Sequence, residues 1–172
     1  RAAVVITAGI TGELRTAMLK AAQPYCLRIQ GPNCLGLLLP RIGLNASFAH
    51  SMPQKGDLAF LSQSGALVTA IIDWARGRGI GFSHVVSMGD MADIDFGDML
   101  DYLAGNAQSR AILLYMEQLT EAPKFLSAAR RAARLCHPMP ASPADQYRDG
   151  PAARARHQTG TCATRSPRGL FF

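Results

Sequence analysis

The second half of the chain alternates between two hydrophobic patterns. Short apolar runs occupy residues 58–61, 82–88 and 111–116, and segments with apolar residues at helical spacing occupy 64–76, 95–104 and 121–135. Short, uninterrupted apolar runs are typical of strands buried on both faces, and the helical segments between them are long enough for right-handed crossovers. Residues 55–135 are therefore predicted to form a doubly wound α/β unit, a parallel sheet covered by helices on both faces.

The first half is less regular. A β-branched run over 4–8 predicts a strand, and residues 11–22 carry apolar side chains at helical spacing. Short extended pieces are expected at 27–29 and 35–39, because glycines and prolines punctuate the chain on either side of them.

The pattern breaks down after residue 135. Three prolines lie between 138 and 143, where another buried strand is due, and proline cannot donate to a sheet ladder. Residues 136–172 are therefore expected to be a divergent or disordered tail. A shifted reading frame, a degraded gene copy and a divergent terminus all remain open as explanations. The abrupt start of the chain indicates a piece of a larger protein.

Composition narrows the choice of function class. The chain is 48% hydrophobic and 17% charged, which is typical of a globular protein. No apolar run approaches the roughly 18 residues of a membrane span, so no membrane association and a cytoplasmic location are expected. Half of the net charge of +6 lies in residues 137–172, with five Arg against two Asp, which argues against a nucleic-acid-binding surface on the folded part. The four cysteines are scattered without a C-x-x-C pair, so neither zinc nor disulfides are expected.

Ser62-Gln63-Ser64-Gly65 joins a predicted strand to a predicted helix. Ligands of open parallel sheets bind beyond the carboxyl ends of the strands, where unpaired amides at helix starts favour anions. Two hydroxyls and a glycine at such a point fit a phosphoryl group. The alternative is that Ser64 simply caps the helix. No lysine follows Gly65 as in a Walker loop, and position 62 is not the glycine of a hydrolase elbow.

Two further strand ends carry carboxylates. Glu117 follows the run 111–116 and is expected at the same edge of the sheet as Ser64, where it would either orient an imidazole or form an ion pair. The acids beyond the run 82–88 have two interpretations. Asp93 or Asp95 would cap the helix while the other acids face solvent, or the acids would together bind a cation. No metal is expected, because the acids do not meet a fixed ligand spacing. The acids in this cluster are Asp90, Asp93, Asp95, Asp98 and Asp101.

Several blocks occur together and in order. They are VVITAG at 4–9, GPNCLG at 31–36, LNASF at 44–48, KGDLAFLSQSGAL at 55–67, RGIGFSHVVSMGDMADIDFGDML at 78–100 and AILLYMEQL at 111–119. Through these blocks the chain resembles the nucleoside-diphosphate-forming acyl-CoA synthetases, such as the ADP-forming acetate–CoA ligases, which are relatives of the succinyl-CoA ligase alpha subunit.

The resemblance implies a fold and a division of the chain. Residues 1–48 would be the C-terminal part of a Rossmann-like CoA-binding domain, and 49–135 a flavodoxin-like parallel sheet of the succinyl-CoA synthetase type. It also implies a reaction in which acid, CoA and ATP become acyl-CoA, ADP and phosphate through an acyl phosphate and a phosphohistidine. Mg²⁺ would accompany the nucleotide, and ATP would bind an ATP-grasp domain or subunit. The chain alone is therefore expected to be inactive.

The resemblance also implies roles for single residues. Ser62, Gln63, Ser64 and Gly65 would bind phosphate, while Thr7, Ala8 and Gly9, with Pro32 and Asn33, would line the CoA site. Glu117 matches the carboxylate that holds the histidine ring. Where the family has Ser-His-Thr-Gly, this chain has Arg156-His157-Gln158-Thr159-Gly160, so His157 is the candidate nucleophile, with a chance match as the alternative.

A non-catalytic function is the second reading of the same blocks. The stretches LNASF, IIDWARGRGIGFSHVVSMGD and DMLDYLAG, followed by AILLYMEQL, also resemble the ligase-like region fused to GNAT protein lysine acetyltransferases. There the region serves as a sensor or scaffold and often lacks the histidine chemistry.

Overall fold

The computed structural model describes residues 1–135. The strands are β1 (Ala2–Val4), β2 (Arg28–Gln30), β3 (Gly36–Leu39), β4 (Leu44–Ser47), β5 (Lys55–Ser62), β6 (Phe82–Ser87) and β7 (Ala111–Tyr115). The helices are α1 (Gly12–Ala22), α2 (Gly65–Arg76), α3 (Phe96–Ala104) and α4 (Ala122–Leu135), and short 3₁₀ turns occupy Gln23–Tyr25 and Pro40–Ile42. No helix of this part combines the length and apolar character needed to cross a bilayer.

The larger sheet has five strands in the order β4-β3-β6-β5-β7. β5 pairs in parallel with both β6 and β7, as the alternation of runs and helices predicts. β3 pairs antiparallel with β4 and with β6, so the sheet is mixed and four of its five strands point the same way. The difference arises because the connection between β3 and β4 is too short for a crossover and closes a hairpin instead.

Helices cover both faces of this sheet, as predicted. Side chains alternate along β5, with Phe60 facing one cluster and its neighbours Ala59 and Leu61 facing the other. Helix α2 packs on the first face through Val68, Ile72 and Ala75. Helices α3 and α4 pack on the second face, where buried residues include Phe96, Leu100, Leu103, Phe125, Ala128 and Ala132.

The N-terminal segment forms a separate two-stranded parallel sheet from β1 and β2. The strand predicted over 4–8 is in fact Ala2–Val4, because its pairing ends where β2 ends, and the chain then continues as a loop through Thr7 and Gly9. The division at residue 48 stays a prediction. β3 and β4 lie on the N-terminal side of that boundary but belong to the larger sheet, and the tail 136–172 lies outside the described residues.

Candidate functional site

The three parallel strands end side by side. Ser62 of β5 is in register with Ser87 of β6 and with Tyr115 of β7. The amide of Met88 donates to the carbonyl of Ser62 at 2.7 Å and the amide of Gln63 donates to the carbonyl of Tyr115 at 3.1 Å, so the pairing continues one step past each strand. Three loops therefore leave the sheet at one edge, which is called the rim below. A ligand of an open parallel sheet would bind there.

The turn after β5 is closed by its own two hydroxyls. Ser62 is fully buried, and its Oγ accepts from the amide of Ser64 at 3.1 Å and donates to the carbonyl of Ser64 at 2.9 Å. Ser64 is the N-cap of α2, with its Oγ accepting from the amide of Leu67 at 3.3 Å. The capping role considered for Ser64 is confirmed. The hydroxyl of Ser62 is committed to the turn, which leaves the main chain as the principal donor at this corner.

The first turn of α2 retains two donors. Within residues 1–135, the amides of Gly65 and Ala66 have no hydrogen-bond acceptor. Ala66 is exposed and Gly65 is half-buried. Because the helix dipole adds a partial positive charge at this end, an anion that reaches these two amides would be stabilised.

Gln63 connects this turn to the loop that follows β7. Its side-chain Oε1 accepts from the amide of Glu117 at 2.6 Å and from the amide of Gln118 at 2.9 Å. Glu117 is exposed, and its main chain is thereby held beside the start of α2. The structure thus places Glu117 on the same rim as Ser64, as its position at a strand end predicts.

The two segments predicted to line a CoA site also meet. The amide of Asn33 donates to the carbonyl of Thr7 at 3.0 Å, which joins the loop after β1 to the loop after β2. Thr7, Ala8, Gly9 and Asn33 are exposed, whereas Pro32 is buried beneath them. Gly9 has φ of +78° and open space around it, so its backbone is accessible to a bulky ligand.

This joined loop is anchored to the larger sheet at Gly89. The amide of Asp90 donates to the carbonyl of Pro32 at 2.9 Å, and the side-chain amide of Asn33 donates to the Asp90 carboxylate at 3.0 Å. Gly89 has φ of +60°, and a Cβ there would run into the carbonyl oxygen of Pro32. Only glycine fits such a close approach of two main chains.

Sequence reasoning missed two polar residues that support this corner. Buried Gln30 donates through Nε2 to the carbonyl of Ser87 at 2.8 Å and to that of Gly36 at 3.1 Å, and the Oγ of Ser87 accepts from the amide of Leu35 at 2.9 Å. Both residues end a strand, and that position was the available signal. Which backbone groups they would meet depends on how the two sheets pack together.

Four of the five acids beyond β6 form a helix cap or ion pairs, and the fifth, Asp90, accepts from Asn33. Asp95 is the N-cap of α3 and forms a capping box with Asp98, which confirms the cap assigned to this cluster. Lys124 lies 2.9 Å from Asp95 and 2.6 Å from Asp98. Burial raises the pKa of Asp95, but the amide of Asp98 and the ammonium of Lys124 outweigh it, so the pKa lies below its ordinary value. Asp93 pairs with Arg28 and Asp101 with Arg131.

Neither histidine of residues 1–135 forms a hydrogen bond to a residue of this rim. His50 pairs with Asp73 at 2.9 Å on the surface. His84 is buried in β6, with Nδ1 3.2 Å from the Oγ of Ser109 and its ring edge-on to Tyr102. The packed role considered for His84 is therefore confirmed. His157, the candidate nucleophile, lies outside the described residues.

His84 is expected to make stability depend on pH. Burial, and after it the charge of Arg41, lowers the pKa of His84 below its ordinary value of 6.5. Below that pH the unfolded chain therefore binds more protons than the folded one, and the free energy of unfolding falls by up to about 1.4 kcal/mol per pH unit. The effect begins near pH 6.5 and ends at the folded-state pKa.

Urea unfolding of the wild type and of His84→Asn, measured from pH 7.5 to pH 5, checks this dependence. Asparagine can accept from Ser109 but does not titrate, so the variant should show a shallower slope. Asp93 and Asp95 lose their contribution only below their ordinary pKa of 3.8 and do not interfere in this range. Equal slopes in the two proteins would contradict the role given to His84.

Fold and rim together define a flavodoxin-like domain of the succinyl-CoA ligase type. Residues 55–166 match the family described as succinyl-CoA ligase like flavodoxin domain, and the chain belongs to that family. The resemblance inferred from the sequence blocks is thereby confirmed. The matched range extends beyond the last described residue and includes position 157.

Relatives that align with more than nine-tenths of the chain are ADP-forming acetate–CoA ligases. The chain is 39% identical over 94% of its length to acetate–CoA ligase [ADP-forming] I of Archaeoglobus fulgidus, and 39% identical over 93% to acetate–CoA ligase [ADP-forming] II subunit alpha of Pyrococcus furiosus. It covers 24% and 36% of those proteins. A solved relative is the dinucleotide forming acetyl-coenzyme A synthetase 1 of Ca. Korarchaeum cryptofilum in complex with phosphate and ADP, with 34% identity, a TM-score of 0.73, and coverage of 77% of this chain and 30% of that one.

Proposed function

We propose that this chain is the CoA- and phosphate-binding portion of an ADP-forming acid–CoA ligase. The whole enzyme would convert an acid, CoA and ATP into acyl-CoA, ADP and phosphate. The observation that carries the proposal is the rim itself, where the open amides of Gly65 and Ala66 lie beside Glu117, which Gln63 holds in place. Relatives of 39% identity over almost the whole chain are ligases of this kind, which supports the same chemistry.

The first turn of α2 is the proposed phosphate site. Two main-chain donors and the positive end of the helix would stabilise a phosphoryl group as charge moves onto its oxygens. Ser64 retains a hydroxyl hydrogen that can donate, because its Oγ acts as an acceptor in the cap. Ser62 would act indirectly by keeping the turn closed, and Gln63 would act by holding the loop that carries Glu117.

The joined loops form the proposed CoA site. Thr7, Ala8 and Gly9 offer exposed main chain, and the side chain of Asn33 stands next to them. Pro32 and Gly89 keep the loops stacked against the sheet edge that carries α2. This arrangement fits a cofactor whose thiol has to reach an acyl phosphate at that edge. When bound, CoA supplies the sulfur nucleophile that displaces phosphate from the acyl carbon.

His157 is the proposed phosphoryl carrier. Its imidazole nitrogen would take the terminal phosphoryl group as ADP leaves, and would pass it to the acid carboxylate to give the acyl phosphate. Glu117 would accept a hydrogen bond from the other ring nitrogen and thereby stabilise the cationic ring. ATP with Mg²⁺ would be bound by an ATP-grasp domain or subunit, and the enzyme would work in the cytoplasm.

Uptake of a phosphoryl group from acetyl phosphate tests the proposal without a nucleotide. If acyl phosphate and phosphohistidine are successive intermediates, the reverse transfer breaks the phosphorus–oxygen bond, releases acetate and forms a phosphorus–nitrogen bond. This half-reaction needs no ATP. Although the chain alone is expected not to complete the whole reaction, the 172 residues incubated with ³²P-labelled acetyl phosphate should therefore gain a label that is stable in base and lost in acid. The absence of such a label would favour the sensor or scaffold function instead.

Two substitutions at Gly65 sharpen the test. Gly65→Pro removes one amide donor, and proline suits this first helical position because Ser64 is already extended at φ −90° and ψ 116°. Gly65→Ala keeps the amide, and its Cβ would make only an ordinary contact with Leu35 at 3.5 Å. Label uptake should fall on the order of tenfold in the proline variant and stay near wild type in the alanine variant. Equal uptake in both variants would remove the α2 amides from the mechanism.

A further inference from the structure

The side-chain oxygen of Gln63 uses both of its lone pairs as hydrogen-bond acceptors. The oxygen of a carboxamide has two lone pairs, and here they accept from two consecutive amides, those of Glu117 and Gln118, at 2.6 and 2.9 Å. The main-chain amide of the same residue donates to Tyr115 at 3.1 Å. One residue therefore binds three positions, 115, 117 and 118, at the end of β7 and just beyond it. The two donors also fix which end of the carboxamide faces the loop, because only its oxygen can accept.

Gln63 lies at the point where β5 and β7 separate. The main-chain pairing of β5 with β7 ends with the hydrogen bond from the amide of Gln63 to Tyr115, and it cannot continue further because the chain of β5 turns into α2. The side chain of Gln63 replaces the missing strand and extends the hydrogen bonding across Glu117. Glu117 and Gln118 are otherwise exposed, so they have no burial to hold them.

We infer that Gln63 is a positioning residue that holds the main chain of Glu117, and so the base of its carboxylate side chain, beside the first turn of α2. This inference rests on the proposed function, because it gives Glu117 a task. The same residue is part of the turn that begins α2 and the acceptor for the loop that carries Glu117. A shift of one element is therefore transmitted to the other. Through its two hydrogen bonds Gln63 sets where the main chain of Glu117, whose carboxylate would hold a phosphorylated imidazole, lies relative to the phosphate site.

Amide exchange tests the positioning directly. Gln63→Met keeps the length of the side chain but removes the acceptor, whereas Gln63→Glu keeps two acceptor lone pairs. Hydrogen exchange at the amides of residues 117 and 118 should accelerate roughly tenfold in the methionine variant and remain slow in the glutamate variant. Gln118→Met is the matched control, because the main chain of Gln118 joins the contact while its side chain does not.

Phosphoryl uptake tests the consequence. With ³²P-labelled acetyl phosphate, Gln63→Met should label roughly tenfold more slowly than the wild type at an unchanged melting temperature, and Gln118→Met should label normally. Glu117→Gln should also slow labelling, and the double variant Gln63→Met/Glu117→Gln should be no slower than Glu117→Gln alone. Non-additivity of this kind is expected only if Gln63 acts through Glu117.

The two ways of failing are distinct. Additive losses in the double variant, or unchanged exchange at residues 117 and 118 in Gln63→Met, would overturn the role of Gln63. A wild-type chain that takes up no label would overturn the proposed function together with the catalytic half of the inference. The exchange measurement would then still decide whether Gln63 holds the loop.

Discussion

Replacing Gly89 by alanine is expected to lower the free energy of unfolding by about 2 to 4 kcal/mol. The residue has φ of +60°, and the added Cβ would meet the carbonyl oxygen of Pro32 and, at 2.8 Å, that of Asn33. Both neighbours are main chain and cannot rotate away. Relief would require the loop after β2 to separate from β6, which would break the hydrogen bond from Asp90 to Pro32.

Gly79→Ala is the matched control for this substitution. Gly79 has a similar φ of +67°, but a Cβ there meets nothing within 4 Å. It should therefore show only the conformational cost of a left-handed alanine, about 1 to 2 kcal/mol. Urea unfolding of both variants separates the two contributions. If Gly89→Ala were no less stable than Gly79→Ala, the close contact between the two loops would be wrong.

Gly89→Ala should also affect the proposed CoA site selectively. Because Asn33 is held between Thr7 and Asp90, separation of the loops should expose its amide. Hydrogen exchange at Asn33 should accelerate more than exchange at the amides of α4, since no hydrogen bond within residues 1–135 joins α4 to Thr7, Asn33 or Asp90. Uniform acceleration throughout the domain would instead indicate only global destabilisation.

Replacing His157 by asparagine is expected to abolish phosphoryl uptake from acetyl phosphate, a loss of at least about a thousandfold. Asparagine has a polar side chain of similar reach but no nucleophilic ring nitrogen. The basis for choosing this residue is the sequence Arg156-His157-Gln158-Thr159-Gly160 and the extent of the family match, which includes it. The measurement is the amount of acid-labile, base-stable label per chain, followed by mapping of the labelled peptide.

His137→Asn is the control, since it makes the same change elsewhere in the same part of the chain. It should label as the wild type does. Retained labelling in His157→Asn, with label found on another histidine, would show that the match at 157 is a coincidence. His50 and His84 are poor substitutes as carriers, because the first is paired with Asp73 near the C-terminal end of α2, away from its first turn, and the second is buried against Ser109 and Tyr102.

The elements of residues 55–135 could be predicted because their signals are local. The apolar runs became β5, β6 and β7, and the caps at Ser64 and Asp95 lie where a serine or aspartate precedes a helical pattern. The hairpin of β3 and β4 was harder to place. Its residues are apolar and extended, but only pairing with β6, more than forty residues later, assigns it to the larger sheet.

The sequence predicted that the candidate site lies where the strands end. The structure shows that the residues at these strand ends have different roles. Ser62 and Ser64 had equal claims as hydroxyl donors, yet one closes the turn and the other caps the helix. Gln63 was expected to face a phosphate, and its oxygen faces the main chain of Glu117 and Gln118 instead. Gln30 and Ser87 had no assigned role until the packing showed which backbone groups they satisfy.

By itself the sequence determined the class of fold, the places where strands end and helices begin, and the family. The hydrophobic period, the caps and the ordered blocks that carry these predictions are properties of residues that are neighbours along the chain. Only the tertiary structure decided that the loops carrying Thr7, Asn33 and Gly89 join one another, and that the loop carrying Glu117 is tied to the turn that begins α2. The physical reason is that the contacts involved are hydrogen bonds to main-chain groups. Any residue offers the same amide and carbonyl, so their partners are set by packing and leave no mark in the side-chain pattern.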